Sequence, residues 1–229
     1  RGGPEAAARE ARYEALADTA RRHRAAVVLL GHTRDDQAET VLLALARGAG
    51  PRGLAGMPAR READGIVWLR PLLRVGRDRT AAACAALGLT PWQDPHNTDP
   101  AYARARVRST ALPALVSALG EKVVDNLART AALVAADNAV LDDLAGRALA
   151  AARHPEGGLT VATLAALAPA VRTRVLHAWA RELGAAGGAL SHRHVAALDA
   201  LVTRWRGQGP TRLPGGIMVA RRAERLAAL

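Results

Sequence analysis

The sequence predicts an α/β fold, in which part of a parallel sheet is followed by a mainly helical region. Short apolar runs alternate with helical stretches from residue 4 to residue 88, the order of elements that builds a parallel sheet. The run 25–30 is continuously apolar, as a strand covered on both faces requires. Beyond Pro100 the chain changes to long stretches rich in alanine and leucine, with helical spacing.

Taken in order, Gly2 to Pro4 reads as a loop and helix start, because proline suits a first helical turn. A helix over 4–24 follows, with Tyr13, Leu16, Ala17 and Ala20 as its apolar stripe. Residues 25–31 form a strand. Thr33-Arg34-Asp35-Asp36 then has the form of a capping box opening a helix over 34–47. On that helix Ala38, Val41, Leu42 and Leu45 recur at i, i+3, i+4 and i+7 and give a face that packs on the sheet, while Asp36, Thr40, Leu43 and Arg47 lie on the other side. A strand over 65–72 ends at Pro71, and an alanine-rich helix over 77–87 is closed by Gly88. Residues 94–100 are a turn-rich loop, and Asp99-Pro100 reads as the next helix start. Helical stretches over 101–153, 160–184 and 191–206 follow, separated by turn signals at 154–158 and 184–188. The tail, 213–219 and then Leu226, reads as a short hairpin. Ala185-Ala186-Gly187-Gly188 is the candidate flexible linker, and a domain change falls near 108–120, giving domains over 1–110 and 111–229.

The composition points to a polyanionic partner. The 229 residues carry 32 Lys and Arg against 21 Asp and Glu, a net charge of +11, and Lys122 is the only lysine. Arginine pairs bidentately with phosphate and stacks on bases, which suits RNA, although an arginine-rich proteome would produce the same bias. Cys84 stands alone, so neither a disulfide framework nor a cysteine metal site is expected. No apolar run approaches the roughly 20 residues of a membrane span, and a cytoplasmic protein with no membrane partner is expected.

Chemistry concentrates where the strand 25–31 meets the next helix, since ligands bind beyond the carboxyl ends of parallel strands, at helix N-termini. His32 and Asp36 can converge there. Two readings stay open from the residues alone: a capping box explains Thr33 and one aspartate, whereas His32, the second aspartate, Gln37 and Glu39 together suggest a site. Glycines at 48, 50, 53 and 56 suit either a helix end and loop or a backbone that a ligand approaches. A second candidate is the arginine run after Pro100, where Arg104 and Arg108 share a helix face and Arg106 points elsewhere. Such a run is either a solvated basic face or a phosphate contact. His192 and His194 lack neighbouring carboxylates or cysteines, and no metal site is expected.

The run His32-Thr33-Arg34-Asp35-Asp36-Gln37-Ala38-Glu39-Thr40, followed by Arg47-Gly48-Ala49-Gly50 and Gly53-Leu54-Ala55-Gly56-Met57, resembles the tRNA(Ile)-lysidine synthetase family of the PP-loop ATP pyrophosphatase superfamily. The resemblance continues in order through Ala8-Arg9-Glu10-Ala11-Arg12-Tyr13 upstream and, downstream, Arg70-Pro71-Leu72-Leu73, residues 94–99 with Tyr102, Arg104, Arg106 and Arg108, and Leu112-Pro113. It implies a PP-loop, Rossmann-like nucleotide-binding domain followed by a helical tRNA-binding region. Thr33 stands where the family often has a second histidine, and Ala105 where it has asparagine. The family's Ser-Gly-Gly-x-Asp-Ser loop has no counterpart, because Arg1-Gly2-Gly3-Pro4-Glu5 lacks both serines and a preceding strand. The expectation is a C-terminal portion of a longer protein, able to bind tRNA but not to form an adenylate unaided.

The family reaction adenylates C2 of the wobble cytidine of the isoleucine tRNA that reads AUA, with ATP and Mg²⁺, and free lysine then displaces AMP. The resemblance implies Asp36 orienting lysine or the cytidine and accepting a proton, and His32 beside the α-phosphate. It further implies Arg47 and Gly48 lining the nucleotide site, Arg104 and Arg108 holding RNA phosphate or the adenylate, Arg106 and Asp35 as substrate contacts, and Asp35 or Asp36 sharing Mg²⁺ with ATP rather than forming a metal site in the protein. A homodimer is an allowed assembly. The competing readings are a thiolase-type PP-loop enzyme, which typically needs paired cysteines, and a non-catalytic RNA-binding fragment.

Overall fold

The computed structural model describes residues 4–92 and 94–229. Gly2 and Gly3, read above as a loop, lie outside the described residues. The chain divides into two compact units, 1–136 and 137–229.

In the first unit α1 (Pro4–Arg22) leads into β1 (Val27–Leu29), α2 (Arg34–Ala46), a single turn α3 (Pro51–Leu54), β2 (Arg60–Ala63), β3 (Ile66–Leu69) and α4 (Arg77–Ala86). The sheet has the order β1-β3-β2, with β1 parallel to β3 and β2 antiparallel to it. The strand expected over 65–72 is therefore the second arm of a hairpin. Its turn is Asp64-Gly65, with φ of +54° and +75°, the left-handed pair that a tight two-residue hairpin turn demands. Tyr13, Leu16, Ala17 and Ala20 pack on Val28, Leu30, Ile66 and Trp68, as the stripe on α1 predicts.

Two expectations about packing are corrected. Among the described residues β1 is covered on one face: Val27 is 44% and Leu29 66% exposed, because alternation turns these two away from α1. On α2 the buried residues are Gln37, Ala38, Glu39, Val41 and Ala44, while Leu45 is 51% exposed. The helix is rotated from its apolar stripe because two polar side chains have partners inside. The Gln37 amide brackets Met57, accepting from its N–H at 2.8 Å and donating to its carbonyl at 3.1 Å. Gly56, at φ +65°, permits this: a Cβ there would lie 2.6 Å from the Gln37 Oε1.

The expected helix start at Asp99-Pro100 is instead a turn, in which the Asp99 carboxylate accepts from the Ala101 N–H at 2.9 Å. Four segments replace the single stretch 101–153: α5 (Ala103–Arg106), a π-helical turn (Val107–Ala111), α6 (Leu112–Leu119) and α7 (Val123–Ala151). Gly120, at φ +90°, ends α6.

The second unit contains β4 (Leu159–Thr160), α8 (Val161–Ala165), α9 (Pro169–Glu182), α10 (His192–Thr203), β5 (Thr211–Arg212), β6 (Met218–Arg222) and β7 (Arg225–Ala228). Its strands form an antiparallel sheet in the order β4-β7-β6-β5 around a core that includes Leu159, Leu176, Trp179, Leu198, Val219 and Leu226. The expected tail hairpin is β5–β6, turning through 213–217, and a second turn at Ala223 and Glu224 adds β7 to it. The candidate linker 185–188 lies inside this unit. Ala185 is buried in the core of this unit, between α9 and α10.

Candidate active site

Thr33 leaves β1 in an extended conformation (φ −101°, ψ 177°) and caps α2. Its backbone N–H and hydroxyl donate to one oxygen of Asp36, at 2.7 and 2.9 Å, and the hydroxyl accepts from the Asp36 N–H at 3.4 Å. The other Asp36 oxygen lies 3.1 Å from Arg77 Nη2 and 3.3 Å from Arg108 Nη2. Burial pushes the Asp36 carboxyl up, but the two Thr33 bonds and the Arg77 and Arg108 charges outweigh it and hold the group below the usual carboxylate range.

One turn further along, Glu39 is completely buried. Arg108 Nε and Nη2 meet its two oxygens at 2.8 and 3.1 Å in a bidentate fork. Arg77 Nη2 adds a contact at 3.0 Å, and Arg104 Nε lies at ion-pair distance, 3.4 Å, without hydrogen-bond geometry. Arg104 is anchored through Nη2 to the Thr40 hydroxyl at 2.8 Å. The Glu39 hydrogen bond holds Arg108 more firmly protonated than a free arginine.

His32 sits beside this cluster in the opposite electrostatic setting. Burial first, then the positive charge of Arg70, lowers its pKa to about 4, with Arg9 and Arg104 acting in the same sense and Asp36 opposing them. Its Nδ1 is buried and lacks a hydrogen-bond partner. Arg70 is itself buried, donating to the Pro58 carbonyl at 2.8 Å and the Tyr13 hydroxyl at 3.0 Å, and Arg9 lies over the Tyr13 ring. Burial lowers the pKa of Arg9, and the charges of Arg104, Arg12 and Arg70 lower it further against the opposing effect of Tyr13. A neutral imidazole among crowded cations is a setting that attracts an anion.

Residues 2–115 match the family model of a PP-loop domain, and residues 159–227 match that of the TilS substrate binding domain. The chain is 72% identical over 228 residues to the tRNA(Ile)-lysidine synthase of Salinispora arenicola, covering all of this chain and 68% of that protein. The chain belongs to the tRNA(Ile)-lysidine synthase family. The enzyme of the same name from Salinispora tropica is 71% identical over the same shares of the two chains, and that of Streptomyces coelicolor 56% identical over 98% of this chain and 64% of its own.

Within this tRNA(Ile)-lysidine synthase family member, His32, Asp36, Arg104 and Arg108 share one neighbourhood. Arg104 and Arg108 do share a face, turned toward the acids of α2. Arg106 points away and donates to the carbonyls of Pro100 and Ala101 at 2.6 and 2.9 Å. Asp35 accepts the Arg77 N–H at 2.8 Å and so joins α2 to α4. Arg47 and Gly48 are exposed at the far end of α2, about 17 Å from Asp36 at the 1.5 Å rise of a helix. Sequence reasoning noted Glu39 without a role and did not assign Arg77, Arg70 or Arg9. The signal was present, because Glu39 follows Asp36 by three residues, and Arg9 and Arg70 sit in the stretches that resemble the lysidine synthetases. His194 accepts the Ser191 N–H through Nδ1 at 3.0 Å and so closes the cap of α10. Among the described residues no three His, Cys, Asp or Glu side chains gather to hold a metal ion, and both aspartates are engaged with backbone and arginine. The described residues build no Mg²⁺ site of their own.

Proposed function

We propose that this chain serves the lysidine-forming reaction on isoleucine tRNA, with the phosphate-gripping loop that the family resemblance calls for: ATP-dependent adenylation of C2 of the wobble cytidine, then ligation of lysine with release of AMP. The observation that carries the reading is the junction of the paired acids of α2 with the cationic surroundings of His32, in a chain whose relatives bear that enzyme's name. The first step builds negative charge at the α-phosphate, and the second needs an ammonium group brought to the activated carbon. His32, neutral at pH 7, serves as a hydrogen-bonding group beside phosphate, and Arg104, Arg70 and Arg9 supply the field. Asp36 offers a fixed carboxylate for the lysine ammonium. Its depressed pKa suits orientation better than proton removal, because an effective general base titrates near the working pH. Arg108 and Arg77 hold that carboxylate in place, and Glu39 holds them.

Residues 1–110 would carry the nucleotide chemistry, with Arg47 and Gly48 as nucleotide contacts outside the reacting cluster, and 111–229 would bind tRNA. Arg106 and Asp35 would act as outer substrate contacts. The reaction belongs to the cytoplasm, where its tRNA is found, and no helix among the described residues is long and apolar enough to cross a membrane. The test is incorporation of labelled lysine into an isoleucine tRNA transcript with ATP, following pyrophosphate and AMP. Incorporation that disappears when the wobble cytidine is changed to uridine supports the reading. Pyrophosphate release with sulfur rather than lysine transferred would support the thiolase alternative, against which the lone Cys84 argues.

A further inference from the structure

At the end of α10 the chain turns through Arg204, Trp205 and Arg206, and Trp205 is left 44% exposed, in contrast to the 2% of Trp179 in the core beside it. The ring is nevertheless held in place. The Arg221 guanidinium lies over it, 5.3 Å from the centroid, and is itself fixed by donation to the carbonyls of Leu201 (3.2 Å), Val202 (3.5 Å) and Ala223 (3.2 Å). Gln208 ties the turn back to the helix, donating to the carbonyls of Ala200 and Arg204 at 3.3 Å each and accepting from the Arg206 N–H. The ion-paired carboxylates of this unit, on Asp142, Asp143, Glu156, Glu182 and Asp199, are taken by Arg174, Arg147, Arg225, Arg153 and Arg172. Arg204 and Arg206 form no ion pair among the described residues. One aromatic face, clamped from behind by a guanidinium and flanked by two uncommitted arginines, offers what an unpaired nucleotide requires: a stacking plane for the base and cations for the phosphates on either side.

We propose that Trp205 stacks an unpaired base of the tRNA, with Arg221 holding the ring and Arg204 and Arg206 contacting the flanking phosphates. This rests on the tRNA-modification reading and names a surface through which the second unit meets its RNA. The arrangement is preorganised, so little side-chain order is lost on binding.

The experiment titrates the full-length protein with an isoleucine tRNA transcript at several salt concentrations, following tryptophan emission and filter retention. Trp205→Ala should weaken binding on the order of tenfold, since base stacking on an aromatic ring has about that effect. Trp205→Phe should keep most of the affinity and lose the emission quench. Arg204→Ala with Arg206→Ala should lower the slope of log affinity against log salt by about 1.5, a change Trp205→Ala should not produce. Arg147→Ala, which breaks an exposed helix pair elsewhere in the unit, serves as the charge control. Affinity of Trp205→Ala within twofold of the unaltered protein overturns the proposal, as does quenching by phosphatidylglycerol vesicles but not by tRNA. The two readings fail separately: unaltered protein that binds no tRNA at low salt overturns the reading beneath, whereas tRNA binding insensitive to Trp205 overturns this proposal alone.

Discussion

Removing a carboxylate from water is costly unless its charge is met, and Glu39, with no exposed surface, is met by Arg108, Arg77 and Arg104 on three different segments. Arg108→Ala should therefore cost about 2 kcal/mol of stability, the scale of hydrogen bonds to a charged group. Combining it with Glu39→Gln should cost less than the sum of the single changes, measured as a double-mutant cycle by urea unfolding. Additive effects would mean that the bidentate pair is not coupled. His32 makes a pH-dependent prediction. Its folded value of about 4 lies below the ordinary 6.5, so the unfolded chain takes up the proton first. Stability should be full above about pH 6.5 and fall as the pH drops toward 4. Urea midpoints at pH 7 and 5 should shift less in His32→Gln than in the unaltered protein. Equal shifts would place the imidazole in water.

The elements around the site depend on local backbone chemistry. Gly56→Ala should destabilise the first unit by about 1–3 kcal/mol, because the new Cβ would meet the Gln37 amide at 2.6 Å in a left-handed conformation that alanine avoids. The Met57 bracket would open with it, and thermal unfolding reads the loss. An unchanged midpoint would show that Gln37 is free to move aside. The sequence makes α1, α2, α4 and the Thr33 capping box readable, because each carries its own stripe, cap or closing glycine. It is less direct where tertiary partners decide. The rotation of α2 depends on Met57 and the arginines, which lie 20 to 72 positions away from the residues they meet. The Asp64-Gly65 hairpin carried a local turn signal that the apolar run after it obscured, and the short strands of the second unit gain their identity only by pairing with one another.

Across the whole chain, the candidate site was partly legible. His32, Asp36, Arg104 and Arg108 stand in stretches that the family resemblance selects, whereas the buried hub Glu39 and its partner Arg77 become apparent only once α2, α4 and the arginine turn are placed together. The central claim is that the first turn of α2, with its acids fixed by arginines and His32 beside crowded cations, is the reaction centre. Its most direct test compares lysine incorporation and tRNA-dependent pyrophosphate release in the active enzyme with those in two variants. Asp36→Ala should abolish lysine incorporation while tRNA is still bound, and His32→Ala should slow adenylate formation on the order of a hundredfold, as loss of a preorganised donor does. Turnover near that of the unaltered enzyme in both variants would contradict the account.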